Sequence, residues 1–308
     1  MKKVFIDGSA GTTGLRIAER LACRDDIEII KLPEELRKDQ AARKQALNSA
    51  DIAFLCLPDD AAREAVSLVS NPDTVIIDAS TAHRTLPDWA YGFPELSSSH
   101  EAKIRTSKRI AVPGCHASGF IALTYPLVEA GLLEKDALVT CHSITGYSGG
   151  GKKMIADYES EDRDTLLGAP RQYGLTQQHK HLKEMQAITG LNVAPIFTPI
   201  VADFYSGMTV TVPLFKSQIK GSIEDIKRIY AQKYQGEIVQ YVESIEDGGF
   251  VSGLKEGKKD GMKITVAGNE DRILLIAAYD NLGKGASGAA VECMNIALGA
   301  EKTKGLEL

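Results

Sequence analysis

The first 112 residues alternate between short apolar runs and amphipathic or polar stretches, and this alternation constrains the fold more than any other feature. Strands are predicted at 3–7, 27–31, 52–57, 74–78 and 109–112. Helices are predicted between them at 14–24, 34–49 and 59–69. Continuous apolar strands that alternate with helices form a parallel sheet covered on both faces. We therefore predict an α/β fold with a doubly wound, Rossmann-like domain.

The second half of the chain carries more strand signals than helix signals. Strands are predicted at 137–145, 207–214, 237–242, 261–266 and 272–279, and helices at 152–157, 177–188 and 223–234. This pattern is typical of an α+β domain with a mixed sheet. We expect a dinucleotide-binding domain over 1–117, completed by a C-terminal helix within about 284–308, and a catalytic and oligomerisation domain over 118–283.

Composition excludes several classes of protein. The net charge of −5 over 308 residues counts against nucleic-acid binding, which normally requires a basic surface. The five cysteines include no CxxC pair, so neither a metal site nor a disulfide framework is predicted. Apolar runs stay below the roughly 18 residues that would span a bilayer. We expect a cytoplasmic protein with no membrane partner.

A glycine-rich loop joins the first predicted strand to the first predicted helix. It reads GSAGTTG over 8–14, with glycines at Gly8, Gly11 and Gly14. Glycines let the backbone approach a pyrophosphate, and the following helix N-terminus supplies free N–H groups. Ser9, Thr12 and Thr13 add hydroxyl groups in the same loop. The loop predicts dinucleotide binding; the alternative is a tight turn with no ligand.

The end of the second strand bears on the choice of cofactor. An acidic residue there would bind the free ribose of NAD, but the strand ends in Lys-Leu-Pro. Arg37 and Lys38 follow shortly after and suit a 2′-phosphate. This favours NADP without making it strict. The alternative for both residues is a solvated helix face.

Cys115 stands between an apolar strand with a Pro-Gly turn and a predicted helix. A thiol at a helix N-terminus is stabilised as the nucleophilic thiolate, and nearby N–H groups stabilise an oxyanion. The other cysteines fit core packing better: Cys23, Cys56, Cys141 and Cys293.

A nucleophilic cysteine usually works with a histidine. His179 and His181 point to different sides of a predicted helix, so only one of them is expected to face the thiol. Glu184 lies three residues after His181 and would orient its imidazole. The alternative is a solvated polar helix face.

Taken together, these motifs resemble the short-form N-acetyl-gamma-glutamyl-phosphate reductase family, within the aspartate-semialdehyde dehydrogenase-like superfamily. The resemblance covers essentially the whole chain. The matching segments are GSAGTTG at 8–14, IDASTAHR at 77–84, VPGCHASG at 112–119, GYSGGGK at 146–152, HKH at 179–181 and NLGKGASGAA at 281–290.

The resemblance implies NADPH-dependent reduction of N-acetyl-glutamyl 5-phosphate to N-acetyl-glutamate 5-semialdehyde, with release of phosphate, in arginine biosynthesis. It implies Cys115 as nucleophile and an acid/base histidine within HKH, where we favour His181 and keep His179. Arg84, with Ser80, is implied for the substrate phosphate, and Asn281 and Gly285 for the cofactor pocket. It also implies a homo-oligomer formed through the second domain, and the many strands of that domain favour a dimer or tetramer.

Two other functions stay open on the sequence. One is an aspartate-semialdehyde dehydrogenase-type reductase that acts on another acyl phosphate. The other is a non-catalytic NADP-binding sensor, in which Cys115 would be unreactive. The longer form of the family has Asp-Phe-Arg where this chain has Ala-His-Arg at 82–84, which leaves the role of His83 open.

Overall fold

The computed structural model describes all 308 residues, and the chain divides into two compact units. Unit 1 comprises Met1–Pro113 and Ala286–Leu306, so the chain leaves it and later returns. Unit 2 comprises Gly114–Gly285 and Glu307–Leu308. None of the helices has the length and apolar character needed to span a membrane.

The N-terminal part of the chain alternates strands and helices, as predicted. In chain order its elements are β1 (Lys2–Asp7), α1 (Thr12–Ala22), β2 (Ile27–Ile30), α2 (Gln40–Ser49), β3 (Ile52–Leu55), α3 (Asp59–Leu68), β4 (Val75–Asp78), β5 (Ala90–Tyr91), α4 (Ser98–Thr106) and β6 (Arg109–Ala111).

The remaining elements contain more strand. They are α5 (Cys115–Glu129), β7 (Thr140–Gly146), α6 (Gly151–Glu159), β8 (Arg171–Gln172), α7 (His181–Thr189), β9 (Ile196–Ala202), β10 (Met208–Phe215), α8 (Ile223–Lys233), β11 (Val239–Tyr241), β12 (Met262–Gly268), β13 (Arg272–Tyr279) and α9 (Gly288–Leu298).

Unit 1 is a doubly wound sheet. Its six strands are all parallel, in the order β2-β1-β3-β4-β6-β5. Successive residues of β1 point to opposite faces: Val4 and Ile6 pack with α1, α4 and α9, whereas Phe5 packs with α2 and α3. Both faces are therefore covered, and the predicted Rossmann-like fold is confirmed.

Unit 2 is built on a seven-stranded mixed sheet in the order β11-β12-β13-β10-β7-β9-β8. Helix α5 packs on its inner face, against β10 and β13. Gly119 allows this close approach, because a Cβ there would lie 2.7 Å from the Tyr279 hydroxyl and from Val210 Cγ2. The predicted mixed sheet is confirmed, and it provides the platform for α5.

The structure differs from the predicted elements at several places, and α4 and the two-residue strands β5 and β8 were not predicted. The helix expected over 34–49 begins only at Gln40, because Asp39 caps it by accepting a hydrogen bond from the Ala42 N–H at 2.7 Å. The helix expected from 177 begins at His181, since Gln177 has a positive φ of 55°. Strand β9 was not predicted, and Pro199 at its centre explains why.

Candidate active site

The glycine-rich loop turns tightly between β1 and α1. Gly8 has a φ of +86°, and a Cβ there would lie 2.3 Å from the Cys56 carbonyl oxygen. A Cβ on Gly14 would lie 2.5 Å from the Gly8 carbonyl oxygen. The first turn of α1 has no side-chain cap, and the buried hydroxyl of Thr12 has no hydrogen-bond partner. The loop therefore fits a dinucleotide phosphate, with open N–H groups and a spare hydroxyl.

A cavity of about 1310 Å³ opens beside this loop within unit 1. Of the predicted cofactor residues, Gly8, Ser9 and Arg37 line it, and so does Lys38. Its size and mixed lining suit a nucleotide. Gly11, Thr13 and Gly14 do not line the cavity, because they form the loop and the start of α1 behind it.

Arg43 is a cavity residue that sequence reasoning missed. It projects from α2 and donates to the Asp7 carboxylate through Nη2 at 2.9 Å and Nε at 3.1 Å. Burial raises the pKa of Asp7, although the Arg43 guanidinium acts in the opposite direction. The pair is enclosed at the carboxyl end of β1, where it supports the loop and borders the cavity.

We expect Gly8→Ala to destabilise unit 1 by about 3 kcal/mol or more, because backbone strain and a steric clash act together. Gly299→Ala is the matched control. Gly299 also has a positive φ, of +68°, but a Cβ there would meet nothing within 4 Å. It should cost about 1 kcal/mol from strain alone. Urea unfolding followed by the fluorescence of Trp89, the single tryptophan, measures both changes. Equal losses in the two variants would contradict the clash.

The segment after β4 holds Arg84 in one position. The Arg84 guanidinium donates to the carbonyl oxygens of Val112 at 2.8 Å and Ala79 at 3.0 Å. Asp78 fixes the same segment, since its carboxylate accepts from the Ser80 hydroxyl at 2.7 Å and lies 2.6 Å from His83 Nδ1. The hydroxyl of Ser80 is therefore hydrogen-bonded within this segment, to Asp78.

His83, whose role the sequence leaves open, belongs to this support. Its ring is buried between the Asp78 carboxylate and the indole of Trp89, with ring centroids 4.1 Å apart and the planes 12° from parallel. The two contacts fix the turn that precedes Arg84. His83 therefore acts on the conformation of the segment.

Cys115 is the first residue of α5, one position after the N-cap. Gly114 is the N-cap and offers no side chain, so the thiol lies at uncapped helix N–H groups. Cys115 is half-buried. Burial raises the pKa of Cys56 to about 12 and raises that of Cys141 as well, which agrees with packing roles for those two.

Helix α7 brings the predicted histidine and glutamate to the start of α5. Glu184 Oε1 accepts a hydrogen bond from the Gly114 N–H at 2.8 Å, directly before Cys115. His181 is buried at the first position of α7, whereas His179 is half-buried just before it. The two rings lie 4.7 Å apart, and His179 Nδ1 accepts from the His181 N–H at 3.2 Å. Burial and then the charge of Lys180 lower the pKa of His179.

The turn after β13 lies against the same place. Gly285 is pressed against Cys115, since a Cβ on Gly285 would lie 3.0 Å from the Cys115 Cβ. Asn281 accepts from the Gly207 N–H at 2.9 Å and donates to the Ser148 hydroxyl at 3.0 Å. Both polar atoms of its amide are therefore hydrogen-bonded within unit 2, and these bonds fix this turn.

Sequence reasoning missed a buried group of polar residues behind Cys115. His116 lies 2.6 Å from the Ser143 hydroxyl through Nδ1 and 2.8 Å from the Tyr173 hydroxyl through Nε2. Tyr279 donates to the Cys115 carbonyl oxygen at 2.5 Å. His116 lies in α5 within the VPGCHASG motif, whereas its partners come from β7, from the position after β8 and from β13, where no local motif marks them.

Two protein-family models match the chain. The dimerisation domain of semialdehyde dehydrogenases matches residues 115–281, and their NAD-binding domain matches residues 28–104. Solved structures of aspartate semialdehyde dehydrogenases share the fold. That of Vibrio cholerae aspartate semialdehyde dehydrogenase II, complexed with ASA, has a TM-score of 0.74 at 16% identity and covers 97% of this chain and 98% of its own. The Candida albicans enzyme, solved with NADP, has a TM-score of 0.64 at 14% identity, covering 96% and 98%. Fold and site thus define a protein of the semialdehyde dehydrogenase class.

Curated relatives identify the family within this class. The N-acetyl-gamma-glutamyl-phosphate reductases of Brucella ovis and Brucella melitensis are 47% identical over 306 residues. The match covers 96% of this chain and 99% of each relative. The chain belongs to the N-acetyl-gamma-glutamyl-phosphate reductase family, which confirms the resemblance noted from the motifs.

Proposed function

We propose that this chain catalyses the NADPH-dependent reductive dephosphorylation of N-acetyl-glutamyl 5-phosphate to N-acetyl-glutamate 5-semialdehyde, a step of arginine biosynthesis. One observation supports the chemistry. Cys115 is the first residue of α5, and Glu184 of α7, the helix that begins at His181, accepts a hydrogen bond at 2.8 Å from the N–H of Gly114, the residue before Cys115. The substrate follows from family membership at 47% identity. The same identity favours this substrate over aspartyl phosphate and favours an enzyme over a sensor.

Cys115 begins the reaction in this proposal. Its thiolate attacks the acyl carbon, the bond from that carbon to the phosphate oxygen breaks, and phosphate leaves with the electron pair. A thioester on Cys115 remains. The uncapped N–H groups at the start of α5 favour both the thiolate and the oxyanion formed during the attack.

We assign the phosphate group to Arg84. A guanidinium suits a dianionic phosphate because it donates in a planar, bidentate arrangement. The two carbonyl contacts of Arg84 fix its orientation, so little side-chain entropy is lost on binding. Ser80 lies in the same segment and donates to Asp78, so we assign it to supporting Arg84 at the phosphate.

His181 is our acid/base residue. NADPH, when bound, supplies the hydride for reduction of the thioester. His181 gives a proton to the oxygen of the reduced carbon and takes it back when the bond to Cys115 breaks. Its burial at the start of α7 suits a fixed proton donor, and Glu184 holds the helix turn in place.

The glycine loop and the basic residues beside the cavity hold the cofactor. The backbone at Gly8 and Ser9 and the unpartnered Thr12 hydroxyl suit the pyrophosphate. Arg37 and Lys38 line the cavity beyond β2 and suit the 2′-phosphate that distinguishes NADPH from NADH.

The reverse reaction tests the function. We expect the chain to reduce NADP⁺ when N-acetyl-glutamate 5-semialdehyde and inorganic phosphate are both present, and not when phosphate is omitted. The change in absorbance at the nicotinamide band measures it. Aspartate semialdehyde is the matched substrate, and turnover of this aldehyde alone would overturn the assignment. No turnover of either, with NADP⁺ still bound, would favour the sensor.

We also propose a homodimer formed through the outer face of the mixed sheet. Apolar side chains stay exposed on that face, including Ile144 at 39%, Ile196 at 61% and Leu274 at 39%. The strand registers place them on one side. Thr140 pairs with Ile196 and Ile144 with Ile200, while Thr209 pairs with Ile144 and with Ala278, which shares a face of β13 with Leu274. The family model for this part of the chain is a dimerisation domain. An apolar face of this kind marks an interface.

Ile144→Lys is expected to weaken the dimer, because it would bury an unpaired charge. A cost of about 3 kcal/mol raises the dimer Kd roughly 100-fold. Light scattering after size exclusion measures the mass over a dilution series. Leu86→Lys is the control, since Leu86 is 44% exposed but lies in unit 1. A dimer of unchanged affinity in Ile144→Lys would contradict the proposed face.

A cytoplasmic location is part of the same proposal. No two of the five cysteines form a disulfide. A reactive thiolate at Cys115 also needs a reducing compartment to stay active.

A further inference from the structure

His116 lies directly behind the nucleophile and is enclosed. Its side chain is 3% exposed, and the rings of His181 and Phe197 pack on it with centroids at 5.6 and 5.3 Å. His179 lies at 5.9 Å. Both ring nitrogens of His116 are already hydrogen-bonded to protein hydroxyls, so the ring has no nitrogen left for the substrate.

The hydrogen bond to Ser143 has one favourable direction. Ser143 is fully buried on the inner face of the sheet, and His116 Nδ1, at 2.6 Å, is the only partner of its hydroxyl. A buried hydroxyl that donates to nothing costs about 1–3 kcal/mol. The Ser143 O–H therefore donates to Nδ1, which must be the unprotonated nitrogen of the ring.

The direction at the other nitrogen follows. Burial lowers the pKa of His116 to about 3, with a smaller contribution from His179, so the ring is neutral and carries one N–H. With Nδ1 unprotonated, that N–H is on Nε2. It donates to the Tyr173 hydroxyl oxygen at 2.8 Å.

Tyr173 is then left with a proton to donate. Its oxygen accepts from His116, and no protein group accepts its O–H. Burial raises the pKa of Tyr173, and the negative charge of the Cys115 thiolate raises it further, which keeps the phenol protonated near the nucleophile. The titratable groups around the His116 ring are His179, His181, Tyr173 and the neighbouring Cys115.

We propose that His116 is a positioning residue: it holds the Tyr173 hydroxyl so that the Tyr173 O–H donates to the oxygen of the acyl group attached to Cys115. Tyr173 is then a catalytic residue, because it touches the reacting group. The chain of donors runs from Ser143 through His116 to Tyr173. This inference rests on the proposed function, since that function supplies the acyl group.

The tautomer of His116 tests this chain of hydrogen-bond donors without any enzymatic turnover. Protein labelled with ¹⁵N in its histidine rings reports by NMR which ring nitrogen carries the proton, and the His116→Gln variant assigns the signal. We expect Nε2–H between pH 5 and pH 8. An Nδ1–H tautomer, or a doubly protonated ring in this range, would overturn the proposal.

Variant kinetics test the effect on catalysis. His116→Leu removes the donor and is expected to lower kcat by about 10-fold to 100-fold, with a smaller change in KM. His116→Gln places an amide N–H where Nε2–H was and should restore most of that loss. In a Tyr173→Phe background, His116→Leu should cause little further loss, because the hydroxyl it positions is already gone.

A merely structural role gives a different pattern. In that case the losses of His116→Leu and Tyr173→Phe would multiply, and the kcat of each variant would follow its melting temperature. Failure of the proposed function is separate from either result: the wild type would then show no phosphate-dependent reduction of NADP⁺ with N-acetyl-glutamate 5-semialdehyde. The NMR measurement still reports the tautomer in that event.

Discussion

Cys115→Ser is expected to lose roughly 10⁴-fold or more in kcat for phosphate-dependent NADP⁺ reduction, as enzymes do when a nucleophile is removed. The serine hydroxyl stays protonated at neutral pH, and the open N–H groups at the start of α5 cannot ionise it as they ionise a thiol. The substitution is small and the site half-buried, so the fold should persist. The assay is the reverse reaction with N-acetyl-glutamate 5-semialdehyde.

Cys23→Ser is the matched control for this experiment. Cys23 is exposed and follows the last turn of α1 in unit 1, whereas Cys115 belongs to unit 2. It should leave kcat unchanged. Iodoacetamide labelling mapped by mass spectrometry adds a second measurement: Cys115 should react faster than Cys56, whose pKa burial raises to about 12. A Cys115→Ser variant with more than a tenth of wild-type kcat would rule out the covalent mechanism.

The second large effect is expected at the acid/base histidine. His181→Asn should lower kcat by about 10²-fold to 10³-fold, the usual contribution of a positioned proton donor and acceptor. Asparagine retains polarity and similar bulk, so the start of α7 and the Glu184–Gly114 hydrogen bond should persist. The loss should fall on kcat more than on KM.

His179→Asn separates the two histidines of the HKH segment. His179 is half-buried and contacts the His181 backbone N–H, so its replacement should cost no more than about tenfold. Melting temperatures of both variants control for stability. A larger loss in His179→Asn than in His181→Asn would reverse our assignment of the acid/base residue.

Much of the fold is predictable because its signals are local. The apolar runs that become β1, β3 and β4, and the glycine loop after β1, are continuous in the chain. Strand β9 escaped prediction because Pro199 interrupts its pattern, and β8 is only two residues long. Both segments become strands because they pair with neighbouring strands, β9 with β7 and β8 with β9. Only the tertiary structure reveals this pairing.

The candidate site also has a part that local sequence predicts and a part that it does not. Cys115 was predictable because the turn, the thiol and the helix start are adjacent in sequence. The partners of that region are distant in sequence: Glu184 is 70 residues from Gly114, Ser143 is 27 from His116, and Tyr173 is 57 from His116. Such contacts arise when α5 and α7 pack beside the mixed sheet, and no spacing rule anticipates them.

The return of the chain to unit 1 has a consequence for biosynthesis. Helix α9 is buried along nearly its whole length and covers α4, β4 and α1 within that unit. A nascent chain that has emerged only as far as Gly285 lacks this cover, and one face of the parallel sheet is open to solvent. Apolar surface of this kind is prone to aggregation and to capture by chaperones. The unit whose translation begins first therefore waits for α9 until nearly the whole chain is made, and truncations that remove α9 should be insoluble even though they leave every predicted site residue in place.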